Sequence, residues 1–137
     1  MPILSPVETR APDFVPSPIT DAEAAALFRA AVNLFQKWGV GDEHASVLLD
    51  LSLRTYRRWK TEGPGRLGRD GKARLSNLIG IHKALRYAFR DPQQAYAWPR
   101  KPNAAFGGRS ALEVMLGGEL TDLMRVRRLL DAERGGW

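Results

Sequence analysis

The chain has 137 residues, 44% of them hydrophobic, and no cysteine, which is enough for one compact domain with a small appendage and excludes disulfides, thiolate nucleophiles and cysteine metal sites. No apolar run approaches the roughly 18 residues of a membrane span, and the N-terminus lacks a basic flank followed by an apolar stretch, so a cytoplasmic protein with no membrane partner is expected. The net charge of +6 is uneven: residues 1–53 carry three basic and seven acidic side chains, 54–90 eleven and two, and 91–137 seven and six, and this positive middle suits either a polyanion or a solvated basic face.

Residues 1–19 hold five of the nine prolines without the periodicity of a packed element, and are read as a flexible or extended arm. Thr20-Asp21-Ala22-Glu23 has capping-box spacing, and Leu27, Ala31, Leu34, Phe35 and Trp38 follow on one helical face before Gly39 stops it. Asp42 is placed to cap a second, short helix running to about Asp50, with Ala45, Val47, Leu48 and Leu49 as its apolar positions. Ser52 caps a third, from Leu53 to about Thr61, and Gly63-Pro64-Gly65 breaks the chain. The glycine-rich basic stretch from Gly65 to Gly71 reads as a loop. A longer helix from Lys72 to about Arg90 then carries Leu75, Leu78, Ile79, His82, Leu85 and Phe89 on one stripe.

Asp91-Pro92 opens a short turn of helix through Trp98, ended by Pro99 and Pro102. Beyond "NAAFGG", Ser110 caps "ALEVML", and after Gly117-Gly118 an amphipathic helix runs from about Glu119 to Arg134. No segment alternates as a strand does, so the fold class is all-α. A bundle at 20–90 and a smaller helical unit at 91–137 are the expected domains, with the arm at 1–19.

The second and third helices have helix-turn-helix spacing. Ala45, Ser46, Leu49, Leu51, Tyr56 and Trp59 fall where such helices pack together, leaving Arg54, Thr55, Arg57, Arg58 and Lys60 outward. Asp50 stands at the turn position that most often holds glycine, and Asp tolerates a left-handed backbone better than most residues. Arg54 and Arg58, four apart near the helix start, are best placed for guanine edges. Ser52, Thr55, Arg57 and Lys60 suit phosphates, which set register and affinity. For Arg57 and Arg58 the alternative is a surface arginine covering Trp59 with its alkyl stem.

"LSLRTYRRW" resembles the turn and recognition helix of the Xre-type helix-turn-helix. Trp98, Asn103, "FGGRSALEVM" and "ELTDLMRVRRLLDAERGG" are similar to the toxin-binding domain of the MbcA/ParS/Xre antitoxins, and the two regions together span residues 20–137. Family members often have proline after the Ser or Thr cap where this chain has Ala111, and the arm lies outside the resemblance.

The resemblance implies an antitoxin that neutralises a NAD-degrading RES-domain toxin and represses its own operon by binding operator DNA. It implies that the C-terminal end blocks the toxin's active site, which assigns toxin contact to Arg127, Arg128, Asp131, Glu133, Arg134, Gly135, Gly136 and Trp137. A Gly-Gly-Trp end can thread a cleft, although Trp137 can equally fold back on its own domain. Leu120, Leu123, Met124, Val126, Leu129 and Leu130 exceed one narrow stripe, so part of this helix is available to a partner or to the core. The dyad logic of helix-turn-helix proteins suggests a homodimer, with the stripe on residues 75–89 and Tyr87 either at the dimer contact or completing the bundle.

An enzyme is not expected, nor is a cofactor or a metal. His44 and His82 are the only histidines, on different helices and without a carboxylate cluster at ligand spacing, and His82 reads as a hydrogen-bonded core residue. Ser46, Ser52, Ser76 and Ser110 lack a nucleophile elbow. The competing function is a stand-alone helix-turn-helix transcriptional regulator that dimerises through its C-terminal unit.

Overall fold

Thr20 and Glu23 open the first helix as their spacing predicts. The computed structural model describes residues 18–135. In it Thr20 Oγ1 accepts from the Glu23 amide at 3.1 Å, and the Glu23 carboxylate accepts from the Thr20 amide at 2.9 Å. The Thr20 amide above all, with the Thr20 hydroxyl adding to it, holds the Glu23 carboxyl below its ordinary pKa. Helix α1 (Asp21–Trp38) buries Ala24, Phe28, Ala31, Leu34, Phe35 and Trp38, and Leu27 on the expected face is only partly buried.

Two boundaries differ from the sequence reading. Helix α2 (Asp42–Leu49) is capped by Gly41 and not by Asp42, because the Asp42 carboxylate turns across to cations of helix α3 (Leu53–Glu62). Helix α4 (Arg69–Ala88) begins three residues before Lys72, inside the stretch expected to be a loop. There an Asp70–Arg74 pair spans one turn at 2.7 Å, the Lys72 amide donates to the Gly68 carbonyl at 3.0 Å, and Leu67 is buried just ahead. That packing outweighs the roughly 1 kcal/mol that Gly71 costs a helix.

Helix α5 (Pro92–Ala97) starts under the Asp91 side chain, which accepts from the Gln93 amide at 3.0 Å. Two 3-10 turns follow, Trp98–Arg100 and Ala104–Phe106. Ser110 and Glu113 form a second capping box on helix α6 (Ala111–Met115), and helix α7 (Leu120–Gly135) closes the chain. All seven α-helices of the described residues share one hydrophobic core, to which Phe106 of the second 3-10 turn also belongs, and the β-type contact among the described residues is a single bridge between Pro102 and Ser110. The fold is all-α, as expected. No helix among the described residues is long and apolar enough to cross a membrane.

Helix α4 runs through the middle, packed against α1 on one side and α7 on the other, with α5 and α2 at its flanks. Leu75, Leu78, Ile81, Ala84 and Leu85 are buried between them, whereas Ile79, His82 and Phe89 of the expected stripe are only partly covered. Half of the expected stripe is thus buried inside the chain, where it helps to complete the bundle.

Arg74 is the one charged side chain in this core among the described residues, 4% exposed. Its Nε donates to Asp70, and a terminal nitrogen donates to the Leu48 carbonyl at 3.2 Å, an acceptor that the end of α2 leaves free. Truncating Arg74 strands that carbonyl away from water. Arg74→Ala is expected to cost about 2 kcal/mol or more of stability in urea denaturation. Asp70→Asn, which alters only the half-exposed partner, is expected to cost under about 1 kcal/mol.

Candidate functional site

The turn between α2 and α3 is set by Asp50, at φ 54° and ψ 47°, the non-glycine residue with positive φ among the described residues. Its amide donates to the Val47 carbonyl at 3.1 Å, and that of Leu51 donates to the Ser46 carbonyl at 2.9 Å, so the end of α2 is closed by the backbone. Ser52 Oγ then accepts from the Thr55 amide at 3.1 Å and starts α3.

Aromatic side chains fix how α3 sits on the bundle. Tyr56 is buried against Phe28 and Phe35, with ring centroids 6.0 and 6.3 Å away, and Trp59 meets Phe28 edge-on at 5.8 Å. Burial, with a smaller push from the Asp42 carboxylate, raises the Tyr56 hydroxyl to about 12. With Tyr56 and Trp59 turned inward as expected, the opposite face of α3 is open.

The six side chains expected to contact DNA are not equivalent. Arg54 and Arg58 are exposed and make no ion pair with any described residue. Arg57 and Lys60 are joined to Asp42 of the preceding helix: Nε to Oδ2 at 3.2 Å and Nζ to Oδ1 at 2.7 Å. Lys60 also lies 5.6 Å from the Tyr56 ring centroid. The Lys60 hydrogen bond above all, with Arg57 adding to it, holds the Asp42 carboxyl below its ordinary range. Ser52 donates to Thr55 Oγ1 at 2.9 Å, which makes both hydroxyls part of the cap.

The C-terminal unit is anchored by two arginines. Arg100 donates through Nε to the Trp38 carbonyl at 2.6 Å and through a terminal nitrogen to the Gly39 carbonyl, pinning the end of α1 just before the helix-turn-helix. Arg127 on α7 turns inward and donates to the Ser76 carbonyl at 3.3 Å, with Asp131 at 3.7 Å. Its guanidinium lies where a Cβ on Gly80 would stand, 2.5 Å from Cζ, so the missing side chain at 80 admits it.

The loop before α6 is shaped by Asn103. Its side-chain oxygen accepts from the Ala105 amide at 2.9 Å, and its carbonyl accepts from Gly108 at 3.0 Å. Gly107 and Gly108 stand at φ 66° and 89°, a backbone that side chains disfavour, which is the physical content of the "FGG" sequence.

On α7 the residues Leu123, Val126 and Leu130 enter the core, while Leu120, Met124 and Leu129 are partly covered. Arg128, Asp131 and Glu133 are exposed on it, and Gly135 is its last residue. The Arg134 side chain, Gly136 and Trp137 lie outside the described residues.

His82 departs from its expected role. Its Nδ1 is buried with no hydrogen-bond partner among the described residues, and the ring stacks on Tyr96 at 5.5 Å and 8°. Burial, reinforced by the Arg86 charge, lowers its pKa, so the neutral ring is favoured. No group of three or more His, Asp or Glu able to hold a metal occurs among the described residues.

Comparison with known proteins agrees with both halves of this geometry. Residues 17–80 match the antitoxin Xre-like helix-turn-helix domain, and residues 84–136 match the antitoxin Xre/MbcA/ParS C-terminal toxin-binding domain. Over 116 residues the chain is 41% identical to the uncharacterized protein y4oB of Sinorhizobium fredii, covering 84% of this chain and 86% of that one. A chain in the crystal structure of the M. tuberculosis MbcT-MbcA toxin-antitoxin complex is similar with a TM-score of 0.53 and 25% identity, over 80% of this chain and 95% of that one.

The left-handed turn at Asp50 yields a direct test. Asp50→Gly removes the penalty of a side chain at positive φ and is expected to raise stability by up to about 1 kcal/mol, read as a higher urea midpoint. Asp50→Val, β-branched in the same backbone, is expected to lower it by about 1 to 2 kcal/mol.

Proposed function

Since the chain belongs to the antitoxin family of Xre-like helix-turn-helix and Xre/MbcA/ParS toxin-binding domains, we propose that it neutralises a NAD-degrading RES-domain toxin and, bound to operator DNA, represses the operon that encodes both. Non-enzymatic binding by two surfaces is the whole of the activity. The observation that carries this reading is the match of residues 84–136 to a toxin-binding domain on the same core as a helix-turn-helix with two exposed arginines that pair with no described residue. The similarity to a chain of a toxin-antitoxin complex supports a toxin partner.

In this reading Arg54 and Arg58 meet base edges, Ser52 and Thr55 hold the helix start to the backbone phosphates, and Arg57 reaches a phosphate through its terminal nitrogens. Two copies of the chain bind the two halves of a palindromic site. Arg128, Asp131 and Glu133 on the outer side of α7, together with Arg134 to Trp137, meet the toxin and close its active-site cleft. Arg127, committed to Ser76, supports α7 and does not itself enter that cleft.

Co-expression with the neighbouring reading frame tests the partner. Neutralisation of that frame's toxicity, with the two proteins copurifying, is expected. A neighbour that is harmless and does not copurify would instead favour a stand-alone regulator. Removing Gly135 to Trp137 is expected to abolish neutralisation while leaving DNA binding intact; retained neutralisation would mean that the tail is not the plug. Arg54→Ala and Arg58→Ala are each expected to cost roughly 1 to 3 kcal/mol on the operator and much less on random DNA, measured by fluorescence anisotropy. Equal losses on both duplexes would reject base readout.

A further inference from the structure

We infer that Asp42 stands in for a DNA phosphate, holding Lys60 and one edge of Arg57 so that the recognition helix binds DNA more weakly than its charge count implies. The inference rests on the reading of α3 as the DNA-contacting helix and assigns a role to a residue of α2 that faces it.

The geometry is that of an anion bound by two cations. One carboxylate oxygen takes the Lys60 ammonium at 2.7 Å and the other takes the Arg57 Nε at 3.2 Å, spacings that a phosphate would also make. The Lys60 and Asp42 side chains are each 30% exposed, so this pair is partly shielded, whereas the Arg57 side chain is 59% exposed. Nε is one donor of five, and the two terminal nitrogens of Arg57 remain available. Lys60 is different: its ammonium is held between the carboxylate and the face of Tyr56. Reaching a phosphate means leaving both, with the Asp42 charge then unpaired beside a polyanion.

Counterion release turns this into a measurable difference. Each phosphate neutralised by a protein cation contributes a slope of about −0.9 in log affinity against log salt. A lysine already neutralised by Asp42 contributes little to that slope. Replacing the carboxylate by an amide of the same shape removes the repulsion and returns Lys60 to the DNA.

The test uses the full chain, with duplexes from the region upstream of its own gene and random duplexes of equal length, titrated across salt concentrations. Asp42→Asn is expected to tighten binding by up to about tenfold at roughly 0.1 M salt and to steepen the salt slope by about 1 on both duplexes. Lys60→Ala alone is expected to weaken binding by less than about twofold, but by about tenfold in the Asp42→Asn background. Unchanged or weaker binding by Asp42→Asn, or an equal Lys60→Ala loss in both backgrounds, overturns the inference.

Thermal melting checks that each variant folds. Should Asp42→Asn fail to fold, Lys60→Ala alone still decides, because a loss as large as that of Arg58→Ala overturns the role of Asp42. Unsubstituted protein that binds while Asp42→Asn gains nothing removes Asp42 from the picture and leaves the repressor reading intact. Failure of both proteins to bind at low salt rejects both.

Discussion

Burial of α4 on two sides is the constraint on which the rest of the structure depends. A helix exposed on one face needs a single apolar stripe, but α4 lies between α1 and α7 and must satisfy both. Leu75, Leu78, Ile81, Ala84 and Leu85 form its most buried positions, and at Gly80 and Arg74 the packing is decided by something other than apolar area. Gly80 leaves room for the guanidinium of Arg127, while Arg74 lends its charge to the end of α2. The helix-turn-helix and the C-terminal unit therefore share one support.

That support makes the two halves mechanically dependent. Arg127 reaches back to the Ser76 carbonyl on α4, and Arg100 reaches back to the carbonyls that end α1. Each occupies acceptors that a helix leaves unsatisfied or that face a close contact, so neither is a decorative surface pair. Because α1 holds Tyr56 and Trp59 through Phe28 and Phe35, its end is one step from α3. A partner that shifts the C-terminal unit acts on a body already joined to α3, without any hinge between them being required.

How much of this was legible in the sequence depends on the range of each interaction. Local chemistry read correctly: the box at Thr20, the caps at Ser52 and Ser110, the turn at Asp91-Pro92, the left-handed Asp50 and the inward Tyr56 and Trp59 all follow from residues a few positions apart. Misreadings came where tertiary contact outbid local preference. Asp42 has a perfect capping position yet faces α3, and Gly71 sits inside a helix that Leu67 and Arg74 stabilise. Arg100 and Arg127 meet acceptors 62 and 51 residues away, beyond the reach of any spacing rule. Nothing in the helix of Arg127 marks Gly80 as the opening that its guanidinium fills. His82 was legible as a residue of the stripe, but its stacking on Tyr96 depended on where α5 folds back.

The same distinction applies to charge. Summed by sequence, residues 54–90 carry eleven basic side chains against two acidic ones. In three dimensions Lys72 meets Asp21, Arg74 meets Asp70, and Arg57 and Lys60 meet Asp42, so acids from outside or within the segment already answer four of the eleven. Arg54 and Arg58 have no such partner among the described residues and stand exposed on α3. If α3 reads DNA as proposed, this separates two tasks: non-specific attraction, which grows with every free cation, would be held down, while the two side chains able to grip a guanine edge would stay free. A low background of non-specific affinity improves discrimination even when no base contact changes, since specificity is the difference between two affinities. The basic patch is therefore better understood by which of its charges are left uncommitted than by its sum.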